Sequence, residues 1–411
     1  MLVNEQKEWT LPNTYFQPKH IAITEHINDY FCQTYNLETQ VLRCAFVSNH
    51  YRAYEVEVLN GGDHKMFKRF EDVKQNLNNE ELKLLSRISI NNSTYPSWFK
   101  LGWRKSFEKR ALSFTGTNTN HVNFEQIRSW EKSALHKVST DNNAYYIKTV
   151  PQVFGHEPLI AQYLYHHHGG VVPSVESIDH NYNEYIMQEV NGELLGYMKE
   201  KGYWKDALSN LATIQKHSID HLNELKNIGC PSYEVSSTLE EYLERCLKDL
   251  KASQVISEHT YEKLSVTQLE AKKLCQQLTS TQVPPALEHG DFFGGNIMVQ
   301  DGKSIIYDWS DCTISHPFLS MTVIFDEIKE TFSVNVANDL LKHYLGHWTR
   351  FGCIDELKKE FMLVKKVATL YYLTIYQQFI VPHFIDNWDQ EQIINSYVKQ
   401  WLSQFDLYKR R

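Results

Sequence analysis

The chain lacks any excess of basic charge: over 411 residues, 42 Lys and Arg stand against 50 Asp and Glu, for a formal net charge of -8. Binding to nucleic acid draws on a basic footprint that releases counterions from phosphates, so no nucleic-acid partner is expected. Seven cysteines (Cys32, Cys44, Cys230, Cys246, Cys275, Cys312, Cys353) are odd in number, scattered and never in a CxxC pair. Free thiols of a reducing compartment are the simplest account. No apolar run approaches the ~18 residues that span a bilayer. The start, Met1-Leu-Val-Asn-Glu5, has no basic segment ahead of an apolar one. These absences predict a cytoplasmic protein with no membrane partner. Internal repeats and low-complexity tracts are also missing.

The length predicts two or three packed units. Residues 1–100 hold eleven Lys and Arg against twelve Asp and Glu, so nearly all the acidity lies downstream. There it would favour a cationic ligand. In the first hundred residues Tyr54, Val56 and Val58 alternate with Glu55 and Glu57, the period of a strand, and residues 41–47 supply a partner. A helix is expected over 79–88. The aromatic, Pro/Gly-punctuated stretch from Tyr95 to Trp103 reads as a connector, which places a boundary near residue 100.

Residues 122–130, 134–140 and 144–150 read as a small antiparallel sheet. Beyond 195 the period becomes helical, most clearly at Leu239, Tyr242, Leu243, Cys246, Leu247 and Leu250, with Ser237 and Glu240 spaced as a capping box. Further helices are expected over 355–379 and 390–405. The sum is an α+β protein in two lobes: an accessory α/β appendage (1–100), a sheet-rich lobe (101–190) and a helical lobe (191–411).

The chemistry concentrates in Leu287-Glu-His289-Gly-Asp291-Phe-Phe-Gly-Gly-Asn296, followed by Ser304-Ile-Ile-Tyr-Asp308-Trp309. An Asp stands five residues before an Asn, and another Asp follows a short apolar strand. Phosphoryl transfer needs such a set: one carboxylate to take the hydroxyl proton, and an amide oxygen with a second carboxylate to hold Mg²⁺ against phosphates. A turn at Gly302 would fold the two segments into a hairpin and bring Asn296 near Asp308.

These residues resemble the aminoglycoside phosphotransferase-like family of small-molecule kinases, a branch of the protein-kinase-like fold. His289-Gly-Asp291 with Asn296 is similar to its HGDxxxxN loop, and Asp308-Trp309 to its metal-binding Asp. The resemblance spans roughly residues 105–411. It implies Asp291 as catalytic base, Asn296 and Asp308 as Mg²⁺ ligands, and ATP or GTP as co-substrate. His289 is read as a packing residue that orients the loop. Lys148, on a predicted strand, and Glu157, in a predicted helix, match the pair that holds the α- and β-phosphates. Tyr185–Gly192, an apolar strand ending at a glycine, is similar to the link between lobes, where Gln188 and Val190 would offer backbone groups to the base and Met187 would pack nearby.

One departure is the segment Trp130-Glu-Lys-Ser-Ala134, which contains no glycine to cradle phosphates. Ser133 is the hydroxyl placed to reach a phosphate oxygen there. A catalytically weak nucleotide-binding module is therefore the alternative reading. A protein kinase is disfavoured, since HRD, DFG and APE-like segments are absent. His166-His167-His168 is read as a solvated helix end ahead of Gly169-Gly170. The expected acceptor is a small hydroxylated molecule of aminoglycoside-like, cationic kind, with Asp326, Glu327, Glu330, Asp386 and Asp389 as candidate carboxylates.

Overall fold

The computed structural model describes every residue except 1, 6–7, 18, 49–50, 62–66, 69–76, 86–94, 116–121, 387 and 406–411. Two compact units result, residues 1–151 with 179–187, and residues 152–178 with 188–411.

In the first unit, helix α1 (Glu25–Tyr35) precedes a long antiparallel pair, β1 (Leu37–Val47) and β2 (Arg52–Gly61). Ile27, Phe31 and Tyr35 recur every four residues, so they share one face of α1 and pack on Leu37 and Val41. Asn36 ends the helix in the left-handed region (φ 52°), returning its N–H to Cys32. Asparagine tolerates that conformation better than most side chains. The short helix Asn79–Leu85 realises the expected one; positions 86–88 lie outside the described residues.

Helix α2 (Trp103–Thr115) leads into β3 (Val122–Trp130), β4 (Ser133–Thr140) and β5 (Ala144–Thr149), which are antiparallel, with β6 (Glu184–Gln188) beside β5. Ala134, Val138, Ile147 and Ile186 cluster with Phe107 and Ala111 of α2 and with Trp98, Phe99 and Trp103. The aromatic stretch read as a connector is therefore core, and the Trp98 indole donates to the Trp130 carbonyl at 2.9 Å. The Gln126 side chain exchanges two hydrogen bonds with the Val41 backbone (2.9 and 2.7 Å), and Ser129 Oγ donates to the Leu42 carbonyl at 2.7 Å. These bonds tie β1 to β3, so the position near residue 100 lies inside one unit.

The second unit is mostly helical: α3 (Glu157–His168), α4 (Lys201–Ile219), α5 (Val235–Ala252), α6 (Glu258–Leu278), α7 (Phe318–Thr331), α8 (Val334–Gly346), α9 (Ile354–Ile375) and α10 (Gln390–Ser403). Its core is heavy in aromatics, with Trp204, Phe292, Phe318, Tyr344, Trp348, Phe361 and Trp401 all buried. Leu239, Leu243, Cys246, Leu247 and Leu250 form the buried stripe of α5 that the periodicity predicts. The predicted capping box is corrected. The helix starts three residues earlier, at Val235, because the Glu234 carboxylate accepts the N–H groups of Ser236 and Ser237 and so neutralises two open donors of the first turn. Helix α9 gives way at Tyr376 to a wider π-type turn over Tyr376–Ile380. Among the described residues no helix is long and apolar enough to cross a membrane.

Two short strand pairs sit within this helical unit: β7 (Ala286–Glu288) with β10 (Thr313–Ser315), and β8 (Ile297–Gln300) with β9 (Lys303–Ile306). They carry the motif residues.

Candidate active site

Strand β7 is buried along its length and delivers the chain into His289-Gly290-Asp291. Gly290 adopts φ +83°, and a Cβ there would run into the backbone of Asp311, so only glycine fits. His289 is fully buried. The Asp291 N–H donates to its Nδ1 at 3.3 Å, and its Nε2 lies 3.1 Å from the Tyr307 carbonyl. A carbonyl only accepts and an N–H only donates, so the ring is held as the neutral Nε2–H tautomer. Its face lies 4.5 Å from the Trp309 ring. His289 thus braces the loop from within, and leaves the Asp291 side chain exposed.

The turn Gly294–Asn296 brings the Asn296 amide back onto Asp291: Nδ2 donates to the Asp291 carbonyl at 2.9 Å and to its Oδ2 at 3.1 Å. With the nitrogen committed, the amide oxygen is the atom left for a cation. Glu327 of α7 fixes the same turn, accepting the Gly294 N–H at 2.7 Å. Burial pushes the Glu327 carboxyl up, against the lowering effect of that hydrogen bond.

Asp301 and Gly302 both take positive φ (50° and 78°), as a two-residue turn with the twist of its flanking strands requires, and β9 folds back on β8. Ile306 then lies across from Ile297, and Tyr307 donates its N–H to the Asn296 carbonyl at 3.1 Å and its hydroxyl to the Gly295 carbonyl at 2.7 Å. The hairpin expected from Gly302 therefore joins the Asn296 and Asp308 segments. Asp308 itself is left-handed (φ 64°), a strained conformation that Asp and Asn tolerate best. Ser310 Oγ donates to its Oδ1 at 3.0 Å.

The donors at this site are oxygens, the chemistry of a hard cation. Among the described residues no group of three or more His, Cys, Asp or Glu side chains is arranged to hold a metal. The residues fit Mg²⁺ in its usual mode, in which one or two protein oxygens (here Asp308 and Asn296) share the ion with phosphates and water.

The remaining predicted residues divide between the two units. Lys148 lies buried on β5, and Met187 is half-buried on β6, in the first. Glu157, fully buried at the start of α3, belongs to the second with Gln188 and Val190. The Gln188 N–H is donated to the Ser174 carbonyl at 3.2 Å. In the glycine-free turn, Ser133 is buried and its hydroxyl accepts the Trp130 indole N–H at 3.0 Å. Of the candidate acceptor carboxylates, Asp326 pairs with Lys365 at 2.6 Å, Glu327 holds the Gly294–Asn296 turn, and Asp389 accepts the Tyr376 hydroxyl at 3.3 Å.

The triple histidine is more than a solvated end. His166 and His167 are exposed, but the His167 and His168 rings pack on His217 at 4.9 and 4.8 Å, and His217 stacks on His221 at 4.2 Å. Burial pushes His168 down to about 4, and the neighbouring imidazoles add to it. The sequence separates these pairs by about fifty residues, so only the packing of α3 against α4 reveals them.

Glu288 was not singled out from the sequence. It is 1% exposed, its Oε1 accepts the Tyr372 hydroxyl at 2.8 Å, and burial, with smaller effects of Asp311 and Asp291, pushes its carboxyl up to about 8. Tyr397 of α10 stacks near Tyr372 (6.2 Å between rings), and burial, then Asp291, Asp311 and Glu288, push its hydroxyl up. The available signal was an acid in an otherwise apolar strand, directly before the motif.

Solved structures share this architecture: an ethanolamine kinase of Plasmodium vivax (17% identity, TM-score 0.53, 83% of this chain and 96% of that one), the choline kinase LicA of Streptococcus pneumoniae (13%, 0.51, 73% and 99%) and a choline kinase of Cryptosporidium parvum (13%, 0.50, 74% and 92%). The fold is the protein-kinase-like one. The sequence model of the phosphotransferase enzyme family (APH) matches residues 162–352, which include the whole HGD loop and Asp308. No curated protein matches the sequence.

Proposed function

We propose that the protein is a Mg²⁺-dependent small-molecule kinase that moves the γ-phosphoryl group of ATP or GTP to an acceptor hydroxyl. The observation that carries the reading is the exposed Asp291 carboxylate, fixed by Asn296, whose carbonyl accepts the N–H of Tyr307 directly before the left-handed Asp308. Asp291 takes the hydroxyl proton as the acceptor oxygen bonds to the γ-phosphorus, and the bond to the bridging oxygen breaks to release the nucleoside diphosphate. Asn296 and Asp308 would hold Mg²⁺, which neutralises phosphate charge when bound.

In this reading residues 101–190 form the nucleotide lobe and 191–411 the acceptor lobe, with 1–100 as an accessory segment. Lys148 positions the α- and β-phosphates, with Glu157 to hold its ammonium. Met187, Gln188 and Val190 receive the base, Gln188 through its carbonyl, since its N–H is donated to Ser174. The acceptor is a small, hydroxylated and cationic molecule, of aminoglycoside-like or amino-alcohol kind. Support comes from the acidity beyond residue 100 and from the ethanolamine and choline kinases that share the fold. The reaction is placed in the cytoplasm, with neither nucleic acid nor membrane as partner.

A second reading, a catalytically weak nucleotide-binding module, is favoured by one observation: the phosphate-side turn lacks glycine, and its Ser133 hydroxyl is engaged by Trp130. Nucleoside-diphosphate release on addition of aminoglycosides, amino alcohols and sugars separates the two. The kinase reading predicts acceptor-dependent release with cationic acceptors best. Nucleotide binding without release for any acceptor would favour the module.

A further inference from the structure

We infer that Glu288 is a positioning residue of this reaction: its carboxyl joins the His289-Gly290-Asp291 turn to helix α9 and so sets where Asp291 stands. The inference rests on Asp291 being the base.

Glu288 is the last residue of β7, paired across from Thr313. From that position, one residue ahead of the turn, its carboxyl accepts the Tyr372 hydroxyl on α9 at 2.8 Å. The turn and the helix are thus linked through a single buried side chain. Removing it would leave the Tyr372 hydroxyl without this acceptor and the turn without its tie.

Charge determines when the tie holds. Asp291 and Asp311 both act on Glu288, so an ionised Glu288 would add like charge beside the base and displace the turn that carries it. Burial prevents this at neutral pH by pushing the carboxyl up to about 8. The groups facing it from the other elements stay protonated through that range. Tyr371 and Tyr372 on α9, Tyr397 on α10 and Tyr344 on α8 are all pushed up by burial, as is the Cys312 thiol beside β10. Glu288 is therefore the group of this cluster whose charge changes just above neutrality.

The experiment follows MgATP turnover by the full chain, with water as phosphoryl acceptor, from pH 7 to pH 9. A group ionising near 8 loses about tenfold of its neutral form over that span, so the wild-type rate falls by about that factor. Glu288→Gln keeps an oxygen for the Tyr372 hydroxyl but has no charge to gain, and its rate changes by less than about twofold over the same span. In parallel, infrared difference spectra between wild type and Glu288→Gln at pH 7 show the band of a protonated carboxyl. An alkaline fall that persists in Glu288→Gln, or a carboxylate band at pH 7, overturns the inference while leaving the kinase reading in place. Failure of wild type to release nucleoside diphosphate with any acceptor, hydroxylated amines as well as water, is the separate result that removes the kinase reading, and this inference with it.

Discussion

Asn296 holds Asp291 at two points, its amide nitrogen donating to the Asp291 backbone carbonyl at 2.9 Å and to the carboxylate Oδ2 at 3.1 Å. The loop residue that would offer its oxygen to a cation is thus the same one that orients the proposed base. Positioning of the proton acceptor and of the phosphates is coupled through one amide, which transfer to a single hydroxyl requires.

Replacing Asn296 or Asp308 with Ala should weaken Mg²⁺-dependent nucleotide binding, and Asp308→Ala more, because it removes charge as well as an oxygen. Calorimetric titration of MgATP checks this. A loss of about tenfold or more is expected for Asp308→Ala, equal to roughly 1.4 kcal/mol. Unchanged affinity would remove the metal role.

Gly290→Ala should destabilise the helical unit, since alanine is strained at φ +83° and its Cβ meets the Asp311 backbone. The cost is on the order of 1–3 kcal/mol. Gly302→Ala, also at positive φ but with nothing near its Cβ, should cost less. Equal denaturant midpoints for the two variants would contradict the close approach at Gly290.

The histidine cluster predicts a pH effect. His168 and His217 are depressed by burial first and by neighbouring imidazoles second. The folded protein therefore binds fewer protons than the unfolded chain. The His168 contribution is present above about 6.5 and is lost as pH falls from there toward about 4, and His217 acts in the same direction. His168→Gln should lose less thermal stability than wild type over that window. His168 is only half-buried, so screening keeps the difference modest, about 2–4 °C in melting temperature. Parallel melting curves for the two proteins across that range would show that the cluster does not titrate.

What the sequence revealed was local. The HGDxxxxN spacing, the Asp301-Gly302 turn and the α5 stripe each act over a few residues, and the hairpin that joins Asn296 to Asp308 follows from them. Long-range packing was not readable. The Tyr95–Trp103 stretch looked like a linker because Pro and Gly punctuate it, yet the sheet of the first unit buries its tryptophans. Ser237 looked like a cap, yet the helix begins at Val235 and Glu234 accepts the first-turn N–H groups, that of Ser237 among them. Glu288 looked like an ordinary strand residue, since its partner Tyr372 lies 84 positions away.

The most direct test of the central claim is ³¹P NMR of the full chain with MgATP and a hydroxylated amine selected by the acceptor screen, with Asp291→Asn alongside. The account predicts a new phosphate-ester resonance that grows as ATP is consumed, and its loss by at least about a hundredfold in Asp291→Asn, because an amide cannot take the acceptor's proton. Ester formation by Asp291→Asn at the wild-type rate, or ATP consumption that yields only inorganic phosphate with every acceptor, would contradict it.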